Sequence, residues 1–153
     1  MATNLNIKVI DRGWKKAQKN INRLVKLEGI AGLLKDAGTE NVGIGAIQEL
    51  GSKKSNIPRR SFIKTTIFNN RGKYKTDITK FVNELVEGKG DPAQSIDAFM
   101  NDVSFDMKRT VEEKKSPPNK PSTIKRKKFN NPLVETRTKI LGNLKGTVRS
   151  RTP

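Results

Sequence analysis

Residues 91–113 read D-P-A-Q-S-I-D-A-F-M-N-D-V-S-F-D-M-K-R-T-V-E-E and carry the most regular pattern in the chain. Asp91 and Pro92 favour a helix start, because aspartate caps free backbone N–H groups and proline suits the first helical position. Apolar side chains then recur every three or four residues, at Ile96, Phe99 or Met100, Val103, Met107 and Val111. This spacing predicts an amphipathic helix that buries one face and ends near Glu113.

The sequence before this helix predicts further helices. Apolar residues recur at helical spacing within 13–29, 41–50, 61–70 and 72–88. Trp14 is predicted to anchor the first of these helices in the core. Ser61 is predicted to cap the third, and Gly72 to separate the third from the fourth.

Strand patterns lie towards both ends of the chain. Residues 4–11 alternate apolar and polar side chains, which is typical of a half-buried strand with an apolar face formed by Leu5, Ile7 and Val9. Residues 30–35 form a short apolar stretch that is predicted to be a second strand and to pair with the first. A short helix and a terminal strand from about Asn143 are predicted at the C-terminal end. The fold class that follows is α+β, with a small antiparallel sheet and three to four helices packed mainly on one face.

Residues 114–132 differ in composition from the rest of the chain. They hold four of the seven prolines and seven lysines or arginines, without one acid. This composition predicts an extended, mobile, basic loop rather than core. The predicted organisation is therefore an α+β core at 1–114, a Pro/Lys-rich arm at 115–132, and a C-terminal helix, strand and basic tail at 133–153.

The composition excludes several kinds of chemistry. The 153 residues include no cysteine and no histidine, so thiol nucleophiles, Cys or His zinc sites and Ser–His arrangements are excluded. An enzyme that uses carboxylates and a metal remains formally possible. Hydrophobic residues make up 33% and charged residues 31% of the chain, which predicts a lean core completed against copies of the same subunit.

No sequence feature predicts association with a membrane. The chain contains no run of about 18 apolar residues, and its first residues lack the charged-then-apolar pattern of a signal peptide. We therefore expect no membrane partner and a reducing cytosolic environment for its synthesis.

The positive charge is concentrated towards the C-terminus. The formal net charge is +17, and residues 114–153 contribute twelve lysines and arginines against one acid, Glu135, which is +11 of the total. The densest run is Lys125-Arg126-Lys127-Lys128. Such a run suits sequence-independent contact with nucleic acid phosphates, or a solvated arm that keeps the protein soluble.

Two smaller patterns predict structure rather than chemistry. Gly43 and Gly45 lack the rest of a dinucleotide fingerprint, so they indicate close helix packing. Asp102 and Asp106 share a helical face that could hold a hard cation, but a solvated face on which Asp106 pairs with Arg109 is the favoured interpretation. We predict no metal, no cofactor and no catalytic residue.

Several stretches of the chain match, in order, the signatures of one known family. Residues 42–51 read V-G-I-G-A-I-Q-E-L-G, and residues 57–63 read I-P-R-R-S-F-I. Further on, P-S-T-I at 121–124 precedes Lys128 and N-P-L-V-E-T at 131–136. This order resembles the A-x-x-x-E-F-G-T, I-P-x-R-P-F-L and P-x-T-I…K…P-L-[IV]-D-T-G signatures of tailed-phage virion morphogenesis proteins, also called neck or tail-completion proteins.

The resemblance spans roughly residues 1–148 and has four departures from the family pattern. Leu50 stands where phenylalanine is usual, Ser61 replaces a proline, Glu135 replaces an aspartate and Arg137 replaces a glycine. The last change removes a glycine that normally permits a positive φ at the turn into the C-terminal helix and strand.

The resemblance implies a structural role without catalysis. Proteins of this family form a ring, usually of six subunits, at the junction between the phage head and tail. We therefore expect a homo-oligomer in the virion neck or tail top, assembled in the host cytoplasm. Its expected partners are adjacent connector or head-closure proteins, tail-tube or tail-terminator proteins and, without sequence specificity, packaged DNA.

Physical roles for individual residues follow from this expectation. Pro58 and Phe62 are predicted to form a rigid structural corner, with Phe62 in the core, and Arg59 and Arg60 to lie free for a neighbour's carboxylate. The candidates for an interface or a DNA channel are Arg59, Arg60, Lys120, Lys125, Arg126, Lys127, Lys128, Arg137 and Lys139. Two alternatives stay open, a small basic protein that binds nucleic acid through its phosphates and a metal-dependent nuclease. The side of the ring, towards the tail or the connector, also stays open.

Overall fold

The computed structural model describes residues 11–128, 130–133 and 140–151. Within these ranges the helices are α1 (Trp14–Leu24), α2 (Thr39–Leu50), α3 (Ile63–Val86), α4 (Pro92–Glu113), α5 (Pro121–Lys127) and α6 (Ile140–Asn143), and the strands are β1 (Leu27–Leu33) and β2 (Leu144–Ser150). A single 3-10 turn at Lys35–Ala37 links β1 to α2. The predicted strand at 4–11 lies outside the described residues except for Asp11.

The two described strands form an antiparallel sheet, and their alternation separates a packed face from a polar one. Leu27 pairs with Ser150 at one end of the ladder and Leu33 with Leu144 at the other. On the outer face, Arg149 donates to Glu28, which lies directly opposite it, and Lys145 donates to Asp36 at 2.5 Å. The prediction of a small antiparallel sheet is confirmed. Among the described residues, the partner of β1 is the C-terminal strand.

Helix α4 crosses the inner face of this sheet at very short range. Gly146 of β2 lies so close that a Cβ atom at that position would stand 1.8 Å from the Met100 carbonyl oxygen. A Cβ at Gly29 of β1 would stand 2.7 Å from the Met100 side chain. The two glycines therefore allow the helix backbone and the sheet to approach more closely than any larger residue would permit.

The core collects side chains from α3, α4, α6 and β2, from the corner before α3 and from the segment after α5. It comprises Phe62, Tyr74, Val103, Met107, Val111, Leu133, Ile140 and Leu144. Phe62, Val111 and Leu144 are completely inaccessible to solvent. The predicted α+β fold is confirmed, with the helices on the sheet, although the described residues form six helices rather than three or four.

The predictions for Trp14, Gly72 and residues 121–127 are wrong. Trp14 is 69% exposed, because α1 turns Ala17 and Asn20 inward and leaves Trp14 on its outer face. Helix α3 runs unbroken through Gly72, since the cost of about 1 kcal/mol for one glycine in a helix is offset by the packing on both sides. Residues 121–127 of the predicted extended loop are helical, with Pro121 at a helix start where its missing N–H is not needed.

The contact between Gly146 and α4 predicts a large effect of a single methyl group. We expect Gly146→Ala to lower the free energy of unfolding by about 3 kcal/mol, since the new Cβ would meet backbone atoms, which cannot move aside as a side chain can. Urea denaturation followed by circular dichroism measures the change.

Gly43→Ala is the matched control, because nothing lies within 4 Å of a Cβ built at this exposed helical position. It should stabilise the protein by about 0.5–1 kcal/mol through the better helix propensity of alanine. Equal effects of the two substitutions would contradict the close approach of α4 and β2.

Candidate interaction surfaces

The corner between α2 and α3 is held by the carboxylate of Glu49. The backbone N–H groups of Phe62 and Ile63 donate to its Oε2 at 2.7 and 2.9 Å. The N–H of Lys64 and the hydroxyl of Ser61 donate to Oε1 at 3.2 and 2.5 Å. The first N–H groups of a helix lack intrahelical partners, so Glu49 satisfies three of them at once. Ser61, predicted to cap α3, instead donates to this carboxylate.

These contacts shift the titration of Glu49. Burial raises the pKa of this carboxyl, but the Ser61 hydroxyl and the N–H groups of Ile63, Lys64 and Phe62 stabilise the ionised form and outweigh burial. The net result is a pKa below the ordinary glutamate value. Glu49 is therefore an ionised structural group at the start of α3.

Arg60 is buried, and the prediction that it lies free for a neighbour is wrong. Its exposed fraction is 5%, and its guanidinium donates to the Pro117 carbonyl at 2.8 Å and the Pro118 carbonyl at 3.1 Å. It also donates to Gln48 Oε1 at 3.0 Å and to Asn119 Oδ1 at 3.3 Å. All four acceptors are uncharged oxygens, and burial lowers the pKa of Arg60 from its ordinary value. The planar guanidinium reaches several acceptors at once, which a lysine ammonium cannot do in the same geometry.

The other three residues of the predicted corner, Pro58, Arg59 and Phe62, differ in their exposure to solvent. Phe62 is buried in the core, as predicted, and Pro58 is exposed on the loop before it. Arg59 is exposed, and its Nε donates to the Glu49 backbone carbonyl at 3.1 Å. Of the two arginines, Arg59 is therefore the one on the surface.

The proline-rich segment is attached to the core at both of its ends. Lys114 donates to the Ser61 carbonyl at 3.2 Å, close to the Arg60 contacts. At the other end, the Asn131 side-chain amide donates to the carbonyls of Val111 and Glu112 at 3.0 and 2.7 Å. These are carbonyls of the last turn of α4, which lack helical partners. Arg60 also holds residues 117–119 to the core, so helix α5 is the part of this segment that has no buried residue.

Helix α5 carries the predicted basic run. Lys120 precedes the helix, Lys125, Arg126 and Lys127 form its last turn, and Lys128 caps it in the left-handed conformation with φ 64°. No residue of α5 is buried, and Lys127 is half-buried. The structure thus brings five of the predicted basic residues onto one short surface element. Arg137 and Lys139 lie outside the described residues.

A second surface is apolar and was not predicted. Helices α3 and α4 and strand β1 enclose a groove of about 600 Å³, lined by Ala31, Ile63, Ile67, Arg71, Tyr74, Lys75, Ile78, Thr79, Phe99, Met100, Val103 and Met107. An adjoining apolar hollow of about 500 Å³ shares Ile63, Ile67 and Arg71 and extends to Phe68. Ile67 is 49% and Phe68 64% exposed, and the Arg71 guanidinium stacks 5.2 Å from the Phe68 ring centre. The charged side chains on the groove wall, Arg71 and Lys75, are both basic.

The outer face of α4 forms a third surface, and its charge is mixed. Phe105 is 66% exposed there, with Asp102 one turn before it and Glu112 two turns after it. Within the described part of the chain, neither carboxylate has a basic partner within 4.0 Å. Arg109 on the same face lies 3.7 Å from Asp106 and 4.0 Å from Glu113. Lys108 follows Phe105 by one turn on the same face, so charges of both signs surround the exposed phenyl ring.

Asp106 is buried rather than solvated, which corrects the prediction for the Asp102/Asp106 pair. The Lys73 ammonium and the Tyr74 hydroxyl donate to its Oδ2 at 2.8 and 3.0 Å. The predicted contact with Arg109 is present. Burial, and then Asp106, raise the pKa of the Tyr74 hydroxyl. These contacts tie α3 to α4 beneath the groove.

The described ranges contain neither a metal-binding cluster nor a membrane-spanning helix. No cluster of three or more acidic, histidine or cysteine side chains there could hold a metal ion. No helix in those ranges is long and apolar enough to cross a membrane.

The same chain was compared with known proteins at three levels. No protein-family model, curated protein or solved structure matches it.

The Glu49 carboxylate predicts an acid-sensitive stability. Its native pKa lies below the unfolded value, so its contribution is complete above about pH 4.3 and is lost as the pH falls through the native pKa. Glu49→Gln should remove this part of the pH dependence and cost about 1–2 kcal/mol at neutral pH. Urea denaturation at a series of pH values measures both effects.

Glu40→Gln provides the control for this experiment, because Glu40 lies exposed in the first turn of α2. It should change stability by about 0.5 kcal/mol or less. An unchanged acid response in Glu49→Gln would mean that the carboxylate does not hold the start of α3.

Because Arg60 is buried and Arg59 is exposed, replacement by lysine should affect stability differently at these two adjacent positions. Arg60→Lys should lower the free energy of unfolding by about 2 kcal/mol, because lysine cannot serve the four acceptors around it. Limited proteolysis should also cleave faster between residues 114 and 128, since Arg60 anchors that segment.

Arg59→Lys is the matched substitution at an exposed site with one hydrogen bond to a carbonyl. It should change stability by about 0.5 kcal/mol or less and leave the proteolysis rate unaltered. The proposed anchor is wrong if the two variants behave alike.

Proposed function

We propose that this protein is a structural component of a tailed-phage virion that forms a ring at the head–tail junction. In this role it joins the tail to the connector around the DNA channel, as a neck, tail-completion or tail-terminator protein, and it catalyses no reaction. Its partners are copies of itself and the adjacent rings of the virion.

The observation that carries this proposal is the meeting of the two stretches that resemble the family. Residues 57–63 and 121–133 are far apart in sequence. Arg60 of the first stretch binds the carbonyls of Pro117 and Pro118 immediately before the second. Phe62 of the first and Leu133 of the second are buried in the same core cluster. The two stretches that resemble the family by their order in the sequence are thus also joined in space, which supports the proposal.

The surfaces of the chain also support an assembly role. A subunit that works alone seldom exposes large apolar side chains in groups, yet α3 exposes Ile67 and Phe68 beside an open groove. The anchored basic helix α5 suits contact with DNA in a channel or with an acidic face of the next ring. An apolar surface and a basic surface on one small chain fit a subunit with more than one neighbour.

A second candidate function has one observation in its favour. Residues 120–128 present five basic side chains and no acid on one short surface element, as a protein that binds nucleic acid through its phosphates would. In that case the chain would act as a monomer or dimer on DNA or RNA, with an affinity that falls steeply as salt rises.

Mass measurement in solution separates these two functions. For the ring we expect a closed assembly, of about six times the 17.1 kDa of one chain, by sedimentation and negative-stain microscopy, either alone or on added phage tail tubes. The charge variant Lys125→Glu/Arg126→Glu should still form that assembly, because α5 buries no residue against the core.

The outcome that rules out the ring is a monomer that binds DNA in a salt-sensitive manner and forms no assembly with tail tubes. Loss of that DNA binding in Lys125→Glu/Arg126→Glu would then identify the second function.

A further inference from the structure

The apolar groove lies beside the edge of β1 that faces away from β2. Ala31 of β1 lines the groove, and no described residue of β2 does. The other walls are formed by α3 and α4, and Ile67 and Ile78 on the α3 wall are 49% and 44% exposed. Open apolar surface therefore adjoins the outer edge of a two-stranded sheet.

The backbone groups along this edge are unpaired in the described part of the chain. The Val148 N–H donates to a carboxylate of α4 at 3.3 Å and not to Gly29, which lies directly opposite it. Three positions along the ladder, the Arg151 N–H does donate to the Lys26 carbonyl, at 2.8 Å. Both contacts fit the alternation of bonded and non-bonded pairs in an antiparallel ladder. The backbone N–H and C=O groups of Gly29 and Ala31 consequently point away from β2, where no described residue bonds to them.

A strand added at this edge would fill the groove. Unpaired strand edges accept further strands through backbone hydrogen bonds. Successive side chains of a strand point to opposite faces, so every second side chain of the added strand would lie on the same face as Ala31. That face is the one packed on α4 and open to the groove. The strand that suits the site thus has apolar side chains at alternate positions and polar ones between them.

Residues 4–9, which lie outside the described ranges, have this alternation. They read N-L-N-I-K-V, with Leu5, Ile7 and Val9 separated by polar side chains, and contain no proline. Three apolar side chains at this spacing extend over about 13 Å, at about 3.3 Å per residue. The α3 wall between its two exposed isoleucines is of comparable length, about 16 Å at about 1.5 Å per residue.

Chain length favours a segment that comes from a neighbouring copy. The start of α1 lies beyond the end of α3, since a Cβ built at Gly88 would stand 3.3 Å from the Lys16 side chain. Arg71, midway along the α3 wall, is about 22 Å from that end of the helix. The six residues from Ile7 to Gly13 reach about 20 Å when fully extended. The same copy could centre Ile7 on the groove only along a taut path, whereas a neighbouring copy has no such restriction.

We propose that residues 4–9 of one copy add as a third strand to the free edge of β1 in the next copy, with Leu5, Ile7 and Val9 in its groove. This contact supplies the subunit interface of the ring, so it rests on the proposed function. Each copy gives one segment and accepts one, and such head-to-tail contacts form a ring when the rotation closes. The contact leaves α5 free for a different partner.

Cysteine pairs test the contact directly, because the natural chain has no cysteine. An Ile7→Cys chain co-expressed with an Ile67→Cys or Ile78→Cys chain of different tag length should give a mixed disulfide-linked dimer on mild oxidation. Asn6→Cys is the matched control, since the adjacent side chain points to the opposite face of the added strand. It should give at least tenfold less mixed dimer.

Three outcomes of this experiment would overturn the contact between copies. The first is the absence of a mixed dimer with either groove cysteine. The second is equal yields from Ile7→Cys and Asn6→Cys. The third is an internal disulfide in monomers of the double variant Ile7→Cys/Ile67→Cys without any mixed dimer, which would place the segment in the groove of its own copy.

A charge placed on either face of the segment provides a second and independent measurement. Ile7→Asp should weaken self-association at least tenfold in sedimentation experiments, because it would bring a carboxylate into the apolar groove. Asn6→Asp adds the same charge on the opposite face and should change self-association less than twofold. Circular dichroism should be the same for both variants, and equal effects on assembly would contradict the proposed orientation of the segment.

Hydrogen exchange identifies the backbone groups that the contact uses. The amides of Gly29 and Ala31 should exchange at least tenfold more slowly in the wild-type assembly than in Ile7→Asp. Those of Glu28 and Ile30 should be protected in both, because they face β2. Equal exchange of Gly29 and Ala31 in the two proteins would mean that no strand from another copy adds at this edge.

The two proposals fail in different ways. If the wild-type chain forms the ring but Ile7→Asp assembles equally well and no mixed disulfide forms, the ring stands and this interface is wrong. If the wild-type chain forms no assembly, even on tail tubes, and no mixed disulfide forms, both proposals are wrong. A mixed disulfide in a chain that forms only dimers would support this contact and contradict the ring.

Discussion

The carboxylate of Glu49 is the interaction on which the arrangement of this chain depends. It lies at the end of α2 and receives the first free N–H groups of α3 together with the Ser61 hydroxyl. This fixes the direction in which α3 leaves the corner and places Phe62 in the core. Because α3 forms one wall of the groove and packs on α4, the geometry of both follows from this one contact.

The corner carries two charged groups that the protein satisfies in different ways. Glu49 receives N–H and O–H donors, which stabilise its charge, whereas Arg60 is surrounded by carbonyl and amide oxygens. Neither needs a partner of opposite charge, so each is held by hydrogen bonds with defined directions. The acidic group fixes the start of α3, and the basic group fixes the start of the proline-rich segment. The start of α3 and the start of the proline-rich segment are distant in sequence, and these two groups hold them at the same corner of the structure.

The sequence predicted the regular elements better than the contacts between them. The start of α4 at Asp91-Pro92, its apolar spacing and the C-terminal strand are local patterns, and the structure contains all of them. The prediction for the inward side of α1 was wrong, because it ranked Trp14 above Ala17 by hydrophobicity. Ala17 is the side chain that is buried against the rest of the chain. Close packing of α1 against α3 requires small side chains, which a periodicity count does not weigh.

The roles of Glu49 and Arg60 were beyond sequence reasoning for a related reason. A carboxylate at the end of one helix can cap the next only if the loop between them returns, and residues 52–57 form that return through a pair of backbone hydrogen bonds. An arginine in a basic chain is expected on the surface, so the burial of Arg60 follows only from the carbonyls of Pro117 and Pro118. The groove was not predicted from the sequence, because α3, which forms one of its walls, was predicted as two helices separated at Gly72.

The lean core and the large positive charge have opposite effects on association between copies of the chain. Only 33% of the residues are hydrophobic, and Phe68, Phe105 and Trp14 are exposed. These large apolar side chains therefore contribute little to the core. Exposed apolar groups on a neutral protein would favour indiscriminate association, whereas a net charge of +17 makes most encounters between copies repulsive. Assembly of copies through these apolar groups would then require contacts that keep the basic side chains of two copies apart, so the charge excess limits the geometries in which copies can meet.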